Sequence, residues 1–239
     1  MLRRVYLSLI CVCFIGLIVS CKHNPSLNPN DGAPAVDGNY PPEVAKIIMN
    51  RCAISGCHNQ ASYSAADSLL LDSWDHLFNG DNNGAVVIPY RPEYSTLLYY
   101  VNTDTSLGPI FTPTMPENGR APLLSKEEYM ILYNWVAAGA PDKNGNIPFG
   151  SDAANRQKIY ATSVDARGID LMAVIDAQKH VIMRYIQIGA NNTQIENAHC
   201  VRVSNDGNNA YVCFYSGEVV QKINVPTDQI AGSTNLNIE

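Results

Sequence analysis

Basic residues are few in this 239-residue chain: 16 Lys and Arg stand against 22 Asp and Glu, and the formal net charge is −6. Domains that bind nucleic acid normally cluster an excess of Lys and Arg on one face, so the charge argues against a nucleic-acid partner. A Gly-rich nucleotide loop, a Ser-His-Asp set and paired carboxylates in a clear site are also missing. These absences argue against an independent enzyme, although they leave the question open.

The chain begins with an apolar run that is too short to be read as a membrane-spanning helix. Residues 5–19 are almost all apolar, but the run stops at Cys21 and a polar stretch follows. A spanning helix needs about 20 apolar residues. Arg3 and Arg4 precede the run, and a basic start, a short apolar core and a small-residue end are typical of a secretory signal. We therefore predict a signal peptide over 1–20.

The end of this run resembles the lipobox of bacterial lipoproteins, over Ile18 to Cys21. The resemblance implies that Cys21 carries lipid and becomes the mature N-terminus; two or more acyl chains suffice for stable anchoring. An ordinary cleavable signal or an uncleaved anchor helix remains the alternative. Residues 21–39 lack apolar periodicity and predict a flexible tether. The protein is expected on the periplasmic side or the cell surface, with the outer membrane slightly favoured by Lys22.

Short helices joined by long loops are predicted between the tether and about residue 148. The apolar face from Val44 to Ile48 predicts a helix that runs into Cys52. Ser125 and Glu128 have the spacing of a capping box at the start of a final helix. The other predicted elements are helices over 74–78 and 95–100, an irregular loop over 101–124, and an end of the final helix at Gly139.

One short segment, from Cys52 to His58, carries the clearest chemical signal. Attachment of a c-type haem needs two thiols, with a His directly after the second to bind the iron. Cys57 and His58 are adjacent, but four residues separate Cys52 from Cys57 where the usual spacing has two. Met115, followed by a proline in the irregular loop, is a candidate for the second axial ligand, because a Met thioether suits haem iron.

With these features, residues 40–148 resemble a small cytochrome c domain of the kind found on bacterial lipoproteins. The resemblance implies an all-α fold and one covalent haem c. It implies thioethers at Cys52 and Cys57, with His58 and Met115 as the axial iron ligands. The widened spacing departs from the family pattern and bears most on attachment through Cys52.

Three other interpretations of these residues stay open. Cys52 and Cys57 could form a small disulfide loop with an incidental His58. They could bind zinc with His58 and His76, although zinc needs four ligands and no second Cys/His pair lies nearby in the sequence. At the second axial position, His76, Met49 or an open iron site could replace Met115.

Residues 150–239 have a different sequence pattern, with short β-rich runs separated by turn signals such as Asp206-Gly207. Two of the runs look like copies, with Tyr160 and Tyr211 about 50 residues apart. This part resembles the repeats of bacterial seven-bladed surface propellers. Fewer than two blades fit, so the propeller is expected to be incomplete and the chain to be part of a longer protein. The predicted fold class is mixed and multidomain: an all-α cytochrome c-like domain followed by all-β partial propeller repeats.

Two further cysteines, Cys200 and Cys213, lie about equally far from the Asp206-Gly207 turn. In a regular hairpin they would face each other, and we expect a cross-strand disulfide in an exported protein. Two small buried residues are the alternative. His199 is interpreted as a structural residue at the entry to a strand.

The leading functional prediction is electron transfer by a covalently bound haem on a lipid-anchored protein, with an unidentified redox protein as partner. One alternative is a haem-linked dehydrogenase or oxidase whose catalytic propeller lies mostly beyond residue 239. The other is a haem-containing sensor or binding protein. A carrier role is favoured over an independent enzyme.

Overall fold

Four α-helices and seven β-strands make up the part of the chain described by the computed structural model: residues 37–117, 119–150, 156–190 and 196–236. The helices are α1 (Pro42–Arg51), α2 (Trp74–Leu77), α3 (Thr96–Val101) and α4 (Lys126–Ala137). The strands are β1 (Lys158–Val164), β2 (Asp170–Asp176), β3 (Ile182–Gln187), β4 (Ala198–Val203), β5 (Asn209–Phe214), β6 (Val219–Asn224) and β7 (Gln229–Asn235). Within these ranges no helix has the length and apolarity needed to cross a membrane. The predicted signal peptide and Cys21 lie outside the described residues.

The helices form where local signals predicted them. In α1, Val44, Ile47 and Ile48 are buried on one face, so this helix is confirmed. In α4, the Ser125 side chain accepts from the backbone N–H of Glu128 and the Glu128 carboxylate accepts from the backbone N–H of Ser125, which confirms the capping box. These two helices pack together, and their buried residues form the centre of the helical core.

The strands form two antiparallel sheets with neighbours in sequence order, β1-β2-β3 and β4-β5-β6-β7. Six of the seven strands were predicted from their apolar runs. Strand β7 was missed because all seven of its residues are exposed and it therefore has no apolar alternation. The two sheets share one apolar cluster, which includes Met172, Val174, Ala210, Val212 and Ile223.

The predicted fold class is wrong. More of the described residues lie in strands than in α-helices, and the longest helix has 12 residues. A propeller needs about four to eight blades around a channel, whereas the described strands make two sheets of three and four strands. Helices and strands belong to one compact unit, so an all-α domain followed by propeller repeats is not what this chain forms.

A buried ion cluster joins the two sheets. Asp228, in the turn between β6 and β7, has a side chain that is 0% exposed. The Lys158 ammonium of β1 donates to both carboxylate oxygens at 2.9 Å, and the Tyr160 hydroxyl donates at 2.9 Å. The Arg184 guanidinium of β3 lies 3.2 Å from the same carboxylate. A single carboxylate therefore pairs with three polar side chains of the other sheet.

A second buried acid, Asp142, holds the turn after α4. Its carboxylate accepts from the backbone N–H groups of Asn144 and Asn146, both at 2.8 Å, and from the side-chain amide of Asn39 at 3.2 Å. Burial alone would raise the pKa of Asp142, but the hydrogen bonds from Asn146, Asn144 and Asn39 outweigh burial and lower it to about 2.

We expect this pKa to make part of the stability acid-sensitive. Because the folded pKa lies below the ordinary value of 3.8, the stabilisation is present above that value and is lost as pH falls towards about 2. Thermal unfolding of the wild type and of Asp142→Asn should therefore differ most at pH 6 and converge near pH 2. A difference in melting temperature that does not change with pH would contradict the assignment.

Candidate functional site

A cavity of about 420 Å³ opens in the helical part of the chain. Cys52, Cys57, His58 and Met115 all line it, although Met115 is distant from the other three in sequence. The volume lies in the range of typical ligand pockets, roughly 300–1,000 Å³. The aliphatic part of the remaining lining comes from Ile48, Leu69, Leu71, Val86, Leu97, Val101 and Leu132, and five charged residues also line the cavity: Arg51, Asp67, Asp81, Glu117 and Arg120. The fold thus brings the four predicted site residues to one apolar cavity.

His58 is held in one tautomer. Its Nδ1 atom lies 3.1 Å from the backbone oxygen of Leu69. A carbonyl oxygen only accepts, so Nδ1 carries the hydrogen and Nε2 keeps a free lone pair. Burial lowers the pKa of His58, which keeps the ring neutral at pH 7. A neutral imidazole with one nitrogen fixed by a backbone carbonyl is the form that binds metals.

The two cysteines are free thiols at the end of α1. Burial, with a smaller contribution from the charge of Cys57, raises the pKa of Cys52 to about 12. The Cys52 thiol therefore stays protonated at neutral pH and is a weak nucleophile. Two backbone hydrogen bonds close the loop between the thiols: Cys57 N–H to Ile54 O and His58 N–H to Cys52 O, both 3.0 Å. A local turn thus takes up the widened spacing.

Met115 reaches the cavity from the irregular loop. Its backbone N–H donates to Tyr100 O at 2.7 Å, which ties the loop to α3, and its side chain is half-buried against the helical core. The alternatives do not lie on the cavity wall. His76 is 2.6 Å from the Asp72 carboxylate, and Met49 packs against the core elsewhere.

Two arginines at the cavity were not predicted. Arg51 donates to the Glu128 carboxylate at 2.7 Å and to Pro122 O at 2.8 Å. Arg120 donates to Gly56 O at 2.9 Å. These contacts join segments far apart in the chain, so no local sequence pattern indicates them.

No family model matches this chain, and no curated protein matches it. Within the described ranges, no three His, Cys, Asp or Glu side chains come together in a group that could hold a metal ion. A structural zinc ion needs four ligands, so this finding speaks against the zinc alternative. The strand-rich fold, with helices and strands in one compact unit, and the lack of a matching family overturn the identification of the chain as a cytochrome c domain followed by a propeller. Function therefore has to be argued from the cavity alone.

Cys200 and Cys213 are directly opposed on β4 and β5, as the hairpin predicted. Both are free thiols; Cys200 is exposed and Cys213 half-buried, so the alternative of two buried residues is wrong. Directly opposed antiparallel residues have Cα atoms roughly 4.5–5.5 Å apart, within the range that a disulfide spans.

We expect this pair to form a disulfide under oxidising conditions. The check is a thiol count on denatured protein with Cys52 and Cys57 replaced by Ser, with and without reductant. A Cys213→Ser variant of that protein is the control and should show the same thiol count in both samples. Equal counts in the parent protein would contradict the disulfide.

Proposed function

We propose that the cavity holds one covalently attached haem and that the protein transfers electrons. The observation that carries the proposal is that Cys52, Cys57, His58 and Met115 line the same, largely apolar cavity. A porphyrin supplies four nitrogen ligands of its own, so haem iron needs only one or two from the protein. A cluster of three protein ligands, which a bare ion requires, is not needed here. The proposal depends on these side chains and not on an all-α fold.

The chemistry of the wall fits such a group. His58 offers a neutral imidazole with a free Nε2, and Met115 offers a thioether from a different segment. Cys52 and Cys57 would hold the group through thioethers: each thiol adds across a vinyl double bond, the sulfur bonds to one carbon, and the thiol proton goes to the other. No oxidant is consumed. When bound, the haem supplies one-electron exchange between ferrous and ferric iron, and a Met/His ligand pair favours a raised reduction potential.

The test is a haem stain on a denaturing gel, after expression with machinery that attaches c-type haem. We expect stain that survives denaturation and a sharp α-band in the reduced spectrum. The Cys52→Ser/Cys57→Ser variant should lose the stain, whereas the matched Cys200→Ser/Cys213→Ser variant should keep it. A colourless, unstained wild-type protein would overturn the proposal.

The proposal includes a membrane anchor, supported by the sequence Ile18-Val19-Ser20-Cys21. Lipid on Cys21 would confine the protein to a membrane face, where a redox partner meets it by lateral diffusion. Labelled fatty acid should enter the wild type and not Cys21→Ser. Equal labelling of the two proteins would refute the lipid anchor, and it would leave the haem proposal for the cavity unaffected.

A further inference from the structure

We infer that Arg120 is a positioning residue that clamps the loop between the two cysteines to the segment carrying Met115. The inference rests on the proposed function, because it assigns Arg120 a role in presenting Cys57 and His58 to the cofactor. Its direct support is the 2.9 Å hydrogen bond from Arg120 Nη1 to Gly56 O, which lies at the exposed rim of the cavity and joins residues 64 positions apart in sequence. Both residues line the cavity.

The accepting carbonyl lies at a sensitive position. Gly56 O belongs to the peptide unit that also contains the N–H of Cys57, and a peptide unit is planar. The N–H side of this plane donates to Ile54 O at 3.0 Å, while the carbonyl side accepts from Arg120. The plane is therefore held from both sides, which fixes the direction in which Cys57 and the adjacent His58 leave the loop.

The widened spacing makes such a clamp useful. Four residues separate the thiols, and Gly56 adopts a left-handed conformation with φ +78°. A Cβ atom at Gly56 would lie 1.9 Å from Arg120 Nη1, so only glycine allows this approach of the guanidinium. The local turn takes up the extra length, and Arg120 holds that turn against the cavity rim.

The segment that carries Arg120 is itself held in place. The chain just after Arg120 is held by Arg51, which donates to Pro122 O at 2.8 Å and Leu123 O at 3.3 Å. Arg51 is the last residue of α1 and is also paired with Glu128 of α4. The two arginines therefore join both loops of the cavity rim to the helical core, one at the thiol loop and one at the end of α1.

The experiment compares Arg120→Ala, Arg120→Lys and the exposed control Arg202→Ala in the full chain, expressed with the attachment machinery. The fraction of chains with haem linked at Cys57 is measured by peptide mass mapping. We expect a roughly two- to tenfold lower fraction for Arg120→Ala, the range set by loss of one hydrogen bond. Partial recovery is expected in Arg120→Lys, since an ammonium still donates to one carbonyl. Arg202→Ala should match the wild type.

A second readout separates failure of the clamp from failure of the proposed function. The rate at which iodoacetamide alkylates Cys57 is measured in haem-free, fully reduced chain, with the Cys213 thiol as the internal reference. We expect Arg120→Ala to raise the Cys57 rate two- to tenfold without changing the Cys213 rate. If the wild type takes no haem but this rate rises, the clamp stands and the proposed function fails. If Arg120→Ala matches the wild type in both readouts, the clamp is refuted.

Discussion

For the proposed haem protein, replacement of His58 with alanine is expected to remove the sharp α-band of the reduced form and most of the electron transfer. Among the proposed ligands, the imidazole has the best fixed geometry, because Leu69 O accepts from Nδ1 and burial lowers the pKa of the ring. An alanine would leave the iron of a bound haem without this ligand. The reduced spectrum, the midpoint potential and the rate of reduction by a small-molecule donor measure the effect.

The matched control is His76→Ala. This histidine is paired with Asp72 at 2.6 Å and lies off the cavity wall, so its loss should leave the spectrum unchanged. Met115→Ala should give an intermediate result: the haem stain remains, the potential falls, and carbon monoxide binds readily to the opened position. An unchanged spectrum in His58→Ala would rule out the ligand assignment even if the haem stain were present.

Local signals predicted the elements of this fold, whereas the class assigned to them failed. The capping box of Ser125 and Glu128 and the apolar face of α1 depend on neighbours within a few residues, and both are present in the structure. Strand β7 has exposed residues on both faces, so no alternation was available to detect it. The predicted class, an all-α cytochrome c-like domain followed by all-β partial propeller repeats, rested on resemblances carried by a few residues. Helices and strands instead belong to one compact unit with two antiparallel sheets.

In the candidate site, too, some residues were predicted from local sequence signals and others were not. Cys57 and His58 are adjacent, so the sequence alone pointed to them, and the proline after Met115 drew attention to its loop. Arg120 forms its hydrogen bond with a residue 64 positions away, and no local sequence pattern predicts a contact over that separation. Asp228 appears in the sequence as an ordinary turn residue, and only the packing of two sheets places Lys158 beside it.

The Asp228 cluster carries the largest stability effect that we expect from a single substitution. In Asp228→Ala, the Lys158 ammonium, which is 2% exposed, would keep only the backbone oxygen of Val225 as a partner. Removing one member of a buried ion pair costs about 3–5 kcal/mol, because the other charge stays desolvated. Domains of this size are stable by about 5–15 kcal/mol, so the loss would take a large share of the free energy of unfolding. The denaturant midpoint measures it.

Two further variants test whether the loss of stability comes from the buried charges. Lys126→Ala removes an exposed pair with Asp104, whose side chains are 59% and 38% exposed, and should leave the midpoint almost unchanged because water screens such pairs. The double variant Lys158→Met/Asp228→Leu removes both members of the buried pair and should recover part of the loss, since apolar residues of similar volume often replace a buried pair without cost. The recovery is expected to be incomplete because Arg184 and Tyr160 also lose the Asp228 carboxylate as a partner. If Asp228→Ala instead unfolded at the wild-type midpoint, the cluster would not be what joins the two sheets.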